Sequence, residues 1–347
     1  MKVTLQFIAD KAHVSRSLVS KVLNGKPVRV CADKRARILK LACKYGYQPR
    51  GAGAGEDGPL ARVKRKRVIG LIQPSLDFLF LTELTNAISL SARELGYQVL
   101  ILNSHEDAET ERRCLDICSS GIVDGVIVSA SDNMANLDNC RALKRRGLPM
   151  VFVDRFLPDL DCSYVTTDNR AGAFELTEEL IQRGHKNILF VFHGRSIFTT
   201  AQMDRFDGYQ QAMAAHGLDS IKEYIYSNRE LSYQPIYRAY GEAQKFTAIM
   251  LATTWDFERL GKLVQGIGGG DPVDIAAFDS FSLRYPQAGL AGVAGCFHDL
   301  LIMEQDPNEM GRRAVEELID LIENGEHPSE HIYLKPHMIC TEKGGTP

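Results

Sequence analysis

The chain has 347 residues, of which 44% are apolar and 24% are charged, and its formal net charge is −3. This length predicts two or three folded units, and the apolar fraction excludes disorder over most of the chain. The N-terminal MKVTLQFIADK lacks the apolar core of a secretory signal, and no apolar run approaches the ~20 residues needed to cross a bilayer. We therefore expect a cytoplasmic protein with no membrane partner.

The charge is distributed unevenly along the chain. Residues 1–67 hold 17 Lys and Arg against 4 Asp and Glu, whereas the remaining residues hold 24 basic against 40 acidic side chains. Neutralisation of phosphates by Lys and Arg supplies most of the sequence-independent affinity for DNA. The N-terminal end is thus predicted to meet a polyanion, and the rest of the chain is not.

The segment 3–25, VTLQFIADKAHVSRSLVSKVLNG, predicts two short helices joined by a tight turn. Apolar residues recur at helical spacing in both, and a third helix is predicted over 33–45. Thr4 and Ser15 stand at the N-cap positions of the first two helices. This order is typical of a helix-turn-helix, in which the N-terminal part of the second helix enters the major groove of DNA.

Hydrogen-bonding side chains lie on the outward side of the second predicted helix. Arg16, Ser17 and Lys21 are candidates for contacts to base edges, whereas Ser20 and Asn24 suit phosphates better. The full set of predicted DNA contacts is Thr4, Ser15, Arg16, Ser17, Ser20, Lys21, Asn24, Arg35 and Leu60. The alternative is an ordinary three-helix core with a solvated basic face.

The run ADKAHVSRSLVSKVLNGK, followed by ILKLACKYGYQP, resembles the N-terminal DNA-binding domain of the LacI/GalR family of bacterial regulators. Further blocks follow in family order, among them VIGLIQP at 68–74, TTDNRAGA at 166–173, RFDGY at 205–209 and EQDPNEMG at 304–311. The resemblance implies an all-α helix-turn-helix domain over 1–50, a connector over 51–67, and a two-lobed effector-binding and dimerisation domain over 68–347. The last of these is expected to be an α/β periplasmic-binding-protein-like domain of two doubly wound lobes.

The connector departs from the family pattern. Relatives have a short helix here that wedges a leucine between base pairs, whereas this chain has GAGAGEDGP. Glycine costs ~1 kcal/mol relative to alanine in a helix, so this stretch opposes helix formation. Two interpretations stay open: Leu60 and Ala61 form a shifted hinge helix, or the segment is a flexible tether whose basic run at 62–67 contacts phosphates.

From residue 68 onward, short apolar runs alternate with segments of helical period, which predicts parallel sheets covered by helices. The first lobe is predicted to comprise residues 68–165 and 296–326, approximately. The second is predicted to comprise residues 166–295 and 327–347, so that the strand at HIYL belongs to the second lobe. Ligands of such sheets bind at the carboxyl ends of strands.

That rule selects Ser129, Asp154, His193 and Asp279 as candidates. The resemblance adds Arg205, which commonly grips an anionic or hydroxyl-rich effector in the family, together with Phe80, Trp255 and Gln305. The predicted effector contacts are therefore Phe80, Ser129, Asp154, Arg205, Trp255, Asp279 and Gln305. Three alternatives are structural: Asp154 pairs with Arg155, Trp255 lies in the core, and His193 is a satisfied strand-end residue.

No motif for catalysis stands out, because the sequence lacks a GxSxG elbow, a P-loop and an HExxH pair. The eight cysteines form no CxxC pair, so no metal site is expected. No cofactor is expected either, apart from a small-molecule effector. We predict a homodimeric DNA-binding transcriptional repressor, not an enzyme, controlled by a sugar or sugar phosphate, with a lean to the fructose- and sucrose-responsive subgroup. The alternative is a cytoplasmic sugar-binding protein whose operator binding is weakened or lost.

Overall fold

The structure is a computed structural model that describes residues 4–23, 28, 30–45, 66–131, 134–194, 199–228, 230–231, 246–253, 273–279, 297–325 and 327–341. The chain divides into two compact units, Met1–Lys66 and Arg67–Pro347. The predictions for Asn24, Leu60 and Trp255, and for most of the connector, lie outside the described residues.

The N-terminal unit contains three helices, α1 (Leu5–Ala12), α2 (Arg16–Leu23) and α3 (Ala32–Lys44). The Thr4 hydroxyl accepts a hydrogen bond from the amide of Phe7, and the Ser15 hydroxyl accepts one from Leu18, both at 3.2 Å. Both residues therefore cap helices, as their positions predict. The three helices share one apolar core, formed by Ile8, Ala9, Ala12, Val19, Val22, Leu23, Ile38 and Ala42.

The second unit alternates strands and helices. In chain order its described elements are β1 (Val68–Gln73), α4 (Leu79–Glu94), β2 (Gln98–Asn103), α5 (Ala108–Ile117), β3 (Gly125–Val128), α6 (Leu137–Arg145), β4 (Met150–Val153), β5 (Tyr164–Thr167), α7 (Asn169–Gln182), β6 (Ile188–Gly194), α8 (Thr200–Ala215), β7 (Ile221–Asn228), β8 (Glu230–Leu231), β9 (Ala248–Leu251), β10 (Val273–Phe278), β11 (Phe297–Glu304), α9 (Pro307–Asn324), β12 (His331–Leu334) and β13 (His337–Thr341). None of the described helices is long and apolar enough to cross a membrane.

The first lobe is built on a parallel sheet with the strand order β12-β5-β4-β3-β1-β2. Its strands are short apolar runs that are buried on both faces in the centre of the sheet, as expected where helices cover both sides. Helices α4 and α9 pack on one face and α5 and α6 on the other. The sheet order reverses beside β1, so the carboxyl ends of β1 and β3 border a crevice.

The second lobe is built on a sheet with the order β13-β11-β10-β9-β6-β7-β8. The strands β11, β10, β9, β6 and β7 run parallel, whereas β13 and β8 pair antiparallel with their neighbours at the two edges. Helices α7 and α8 cover one face through a core rich in aromatic side chains, including Phe190, Phe192, Phe206 and Tyr209. Two lobes of α/β type are thus present, as the sequence pattern predicts.

The predicted lobe boundaries are wrong at the C-terminal end. Strand β11 pairs with β10 in the second sheet, although the chain from residue 296 was predicted to belong to the first lobe. Strand β12, the HIYL segment, pairs with β5 in the first sheet, and the strand that completes the second sheet is β13. Only α9 follows the prediction. An apolar run identifies a strand, but it carries no signal for the neighbour with which that strand pairs.

Helices α7 and α8 approach each other closely at Gly208. A Cβ atom added at this position would lie 2.2 Å from the backbone oxygen of Arg170 and 3.0 Å from the Cβ of Ala173. Such distances are incompatible with a side chain unless the helices move apart. The packing of the second lobe therefore depends on a glycine at this position.

We predict that Gly208→Ala lowers the free energy of unfolding by about 3 kcal/mol, because the extra methyl group forces two packed helices apart. A glycine-to-alanine change inside a helix without close neighbours raises the free energy of unfolding by ~1 kcal/mol. The sign of the measured change therefore distinguishes a close helix approach from an unrestricted position. Urea unfolding measures the difference. Gln211→Ala, at an exposed position of the same helix, is the control and should change stability by less than about 0.5 kcal/mol. A stabilised Gly208→Ala protein would contradict the close approach.

Candidate ligand-binding site between the lobes

Two acidic residues occupy equivalent places in the two lobes. Asp154 directly follows β4 and Asp279 directly follows β10, and both have left-handed backbone conformations, with φ of 62° and 69°. Each backbone amide donates to a carbonyl of a neighbouring strand, Asp154 to Val165 and Asp279 to Met303, both at 2.9 Å. A positive φ at a non-glycine residue is costly, and such strain clusters at functional sites.

The Arg205 side chain is 2% exposed, and three neighbours fix its orientation. Its Nε donates to Oδ1 of Asn169 at 2.7 Å, and its Nη1 donates to the carbonyl oxygen of Ala252 at 2.7 Å. The guanidinium carbon lies 3.9 Å from the centroid of the Phe278 ring. These two hydrogen bonds use two of the five N–H groups that a guanidinium carries. The group is thus held in a fixed plane with donors to spare.

A hydrogen-bond chain runs from the first lobe to the second through Gln305, which lies between β11 and α9. The Thr167 hydroxyl donates to Oε1 of Gln305 at 2.6 Å. Nε2 of Gln305 lies 2.9 and 3.1 Å from the two carboxylate oxygens of Asp279. The sequence-predicted residues Gln305 and Asp279 are therefore in direct contact, and Thr167 ties them to the first lobe.

The charges of Asp154, Asp279 and Arg205 act on one another. Burial raises the pKa of Asp279 to about 6, although the positive charge of Arg205 and the hydrogen bond from Gln305 oppose this shift. Burial also raises the pKa of Asp154, against the charges of Arg155 and Arg205. Near neutral pH the site thus offers the carboxylate of Asp279 as an acceptor and the guanidinium of Arg205 as a donor in a buried place, where charge-assisted hydrogen bonds are strong.

Asp154 also pairs with Arg155, which is the structural alternative that the sequence analysis left open. Its Oδ2 lies 3.6 Å from Nε of Arg155, and Nη1 of Arg155 lies 3.4 Å from Oε1 of Glu106. All three side chains are largely buried. Asp154 therefore belongs to an ion-pair network of the first lobe while it also faces the charge of Arg205.

For the remaining predicted effector residues that it describes, the structure gives a position in the fold but no contact with Arg205 or Asp279. Ser129 directly follows β3 and is fully buried. Phe80 lies in the first turn of α4, half-buried against the core of the first lobe. His193 stands on β6, but its side chain is outside the described set, as is Trp255. Within the described ranges, no group of three or more His, Cys, Asp or Glu side chains could hold a metal ion.

Sequence reasoning missed three residues that build the site, namely Thr167, Asn169 and Phe278. Thr167 and Phe278 are the last residues of β5 and β10, and Asn169 begins α7. The rule that ligands bind at carboxyl strand ends could have found Asn169, because the TTDN run combines a strand end with polar side chains. No sequence signal identified Phe278, since an apolar strand residue is ordinarily core.

The predicted DNA contacts on α2 lie on one side of the helix. Arg16, Ser17 and Lys21 are exposed, whereas Val19, Val22 and Leu23 are buried. Ser20 and Arg35 are half-buried. The hydroxyls of Thr4 and Ser15 serve as helix caps. A polar, basic face is thus presented next to a well-formed core.

Comparison with known proteins agrees with this architecture. A family model described as periplasmic binding proteins and sugar binding domain of the LacI family matches residues 66–230, and a periplasmic binding protein-like domain matches residues 177–341. The HTH-type transcriptional regulator KdgR of Bacillus subtilis (strain 168) is 26% identical, with 97% of this chain and 96% of KdgR covered. Catabolite control protein A of Priestia megaterium is 28% identical, with 82% and 84% covered.

Among solved structures, that of the transcriptional regulator CelR in complex with cellobiose superimposes with a TM-score of 0.68 and 20% identity. It covers 99% of this chain and 100% of CelR. At this identity the likeness concerns the fold, and it extends over the whole length of the chain.

The two sheets and the polar residues at their facing strand ends define a two-lobed ligand-binding domain of the periplasmic-binding-protein type. The chain belongs to the LacI/GalR family of bacterial transcriptional regulators. It is accordingly a DNA-binding transcriptional regulator under the control of a small-molecule effector, as the sequence predicts.

We predict that Asp279→Asn stabilises the effector-free protein at neutral pH. The pKa of Asp279 is about 6 in the folded state against an ordinary value of 3.8, so the folded state binds more protons than the unfolded state between these values. The contribution of Asp279 to wild-type stability therefore falls as pH rises from about 4 to 6 and then levels off.

The Asn variant lacks this proton equilibrium, so it should exceed the wild type by up to about 3 kcal/mol at pH 7 and match it near pH 4. Urea unfolding of both proteins across this pH range measures the effect. A variant that is less stable than the wild type at pH 7 would show that the carboxylate is stabilised in the folded protein.

Proposed function

We propose that this protein is a transcriptional repressor whose operator affinity is controlled by a sugar or sugar phosphate bound between the two lobes. The observation that carries the proposal is the group formed by Asp154, Arg205 and Asp279, which brings opposite charges from both lobes to the facing strand ends. Ligands of open parallel sheets bind at such ends. The N-terminal unit, with its exposed basic face on α2, supplies the contact to DNA.

The chemistry of the site favours a hydroxyl-rich or anionic effector. Carboxylates of Asp154 and Asp279 are suited to accept hydrogen bonds from paired hydroxyls, and the planar Arg205 donates in parallel to a phosphate, a carboxylate or two hydroxyls. Ser129 and Gln305 are further proposed polar contacts, and Phe80 and Trp255 are proposed to cover an apolar sugar face. The cellobiose bound by CelR supports the sugar class. The fructose and sucrose subgroup stays a prediction.

The DNA-binding part of the proposal follows from α2. Arg16, Ser17 and Lys21 are proposed to contact base edges, with Thr4, Ser15, Ser20, Asn24, Arg35 and Leu60 contacting the DNA around them. Two copies related by a two-fold axis would read the two halves of a near-palindromic site, so a homodimer is the proposed form. Binding of the effector to both lobes would change operator affinity by a coupling of roughly 1–3 kcal/mol.

We predict that Arg205→Ala and Arg205→Lys bind the effector roughly 10- to 100-fold more weakly, because a buried charged donor or its planar fork is lost. Thermal stabilisation by sugars, sugar phosphates and sugar acids identifies the ligand, and calorimetry then gives affinities. Operator binding without effector should persist. Arg313→Ala, an exposed arginine on α9, is the control. An Arg205→Lys protein with full effector response would remove Arg205 from the site.

We predict that Arg16→Ala weakens binding to the preferred DNA site by roughly 10- to 100-fold and relaxes the base preference at one position of each half-site. Selection of sites from genomic DNA, followed by titration, makes the measurement. Arg113→Ala removes the same charge from an exposed position of α5 and serves as the control. If the wild type binds a sugar but selects no palindromic site, the alternative of a sugar-binding protein without operator function takes its place.

A further inference from the structure

Gln73, the last residue of β1, has a fully buried side chain whose amide finds no hydrogen-bond partner among the described residues. Its exposed fraction is 0%, and neither Oε1 nor Nε2 has a hydrogen-bond partner within the part of the chain that the structure describes. The hydroxyl of Ser129 is in the same situation, with 0% exposure and no partner among the described residues. Buried polar groups in native proteins are nearly always hydrogen-bonded, so each exception requires a physical reason.

The two residues are neighbours at the carboxyl edge of the first sheet. Ile72 of β1 pairs with Val128 of β3, and the amide of Ser129 donates to the carbonyl of Ile72 at 2.9 Å, so the ladder continues to Gln73 and Ser129. Adjacent strands lie ~4.8 Å apart. A single ligand atom could therefore reach both side chains.

Both residues lie on the sheet face that leads to the charged site. Side chains alternate along a strand, so Gln73 shares a face with Leu71, and Ser129 shares it with Ile127. The core on that face joins the sheet to α4 and α9. By the same alternation from Val165, Thr167 ends β5 on this face. Val153 of β4 lies between Ser129 and Thr167 on this face. Thr167 donates to Gln305 and Gln305 contacts Asp279, so the face that carries Gln73 and Ser129 also carries a residue that contacts the charged site.

Other buried polar groups at this edge have partners, which makes Gln73 and Ser129 exceptional. The hydroxyls of Ser104 and Ser131 lie 2.8 Å apart, and Oε2 of Glu111 accepts from the amide of Ser131 at 2.6 Å. Buried polar groups near Gln73 and Ser129 are thus hydrogen-bonded within the fold. The unsatisfied pair is therefore not a general property of this edge.

We propose that Gln73, together with Ser129, is a specificity-determining contact of the first lobe, which binds an uncharged hydroxyl group of the effector. An amide and a hydroxyl can each donate and accept, which matches a hydroxyl that does both, and neither group offers a charge to a phosphate or carboxylate. The anionic or most polar end of the effector is left to Arg205. This assignment rests on the proposed function, since it requires an effector between the lobes.

The test compares full-length wild type with Gln73→Met, which keeps the side-chain length and removes both polar atoms. Without ligand, Gln73→Met should raise the unfolding midpoint by roughly 2–5 °C, because an unpaired buried amide is removed. Thr85→Val is the matched control, since this buried hydroxyl on α4 already donates to Leu81 at 2.7 Å, and it should not raise the midpoint.

The second arm uses cellobiose, D-fructose 1-phosphate and D-gluconate as probes. For any probe that stabilises the wild type, Gln73→Met should bind at least roughly tenfold more weakly, and Thr85→Val should bind unchanged. Ser129→Ala should lose a similar factor. The double variant should lose less than the product of the two, since both side chains contact the same hydroxyl.

A lower midpoint for ligand-free Gln73→Met would show that its amide is paired within the protein and would overturn the proposal. Unchanged probe affinity would overturn it as well, while loss of binding in Arg205→Lys would leave the proposed function standing. If no probe stabilises the wild type, these three compounds are excluded as effectors. The ligand-free midpoint still decides in that case whether Gln73 is an unsatisfied amide.

Discussion

The burial of one guanidinium group organises the centre of the effector domain. A positive charge with 2% exposure is tolerated only where hydrogen bonds and opposite charges surround it, and for Arg205 these come from several separate parts of the chain. Asn169 begins α7, Ala252 follows β9, Phe278 ends β10, and Asp279 directly follows β10. Each of these elements must reach its final place before the charge is compensated. The geometry of the site is therefore determined by how these elements of the second lobe pack together.

Strain and desolvation are concentrated around the same residues. Asp154 and Asp279 combine a left-handed backbone with a carboxylate whose ionisation is disfavoured by burial. Neither feature helps the ligand-free protein to fold, and both prepare acceptors for a ligand that donates hydrogen bonds. Proteins commonly sacrifice stability at sites that carry function, and here the sacrifice lies at the strand ends of both lobes.

Much of the fold and part of the site could be predicted from the sequence. Alternation of apolar runs and helical segments predicted the two α/β lobes, and the strand-end rule selected Asp154 and Asp279 from the residue pattern alone. The sheets to which β11 and β12 belong could not be predicted, because an apolar run identifies a strand and does not specify the strand with which it pairs. Asn169 was overlooked within a strand-to-helix junction. Gln73 was not singled out within VIGLIQP, because its burial without a partner among the described residues is visible only in the folded protein.

The C-terminal segment completes both lobes at once. After α9 the chain adds β12 to the first sheet and β13 to the second, so residues 331–341 form one edge strand of each sheet. During synthesis, neither lobe can acquire its full sheet until this segment has left the ribosome. A chain that stops short of it would expose the backbone groups of β5 and β11, and open strand edges of this kind are templates for aggregation. Premature termination, even by a few per cent of the length, should therefore produce a target for quality control instead of a partly active regulator.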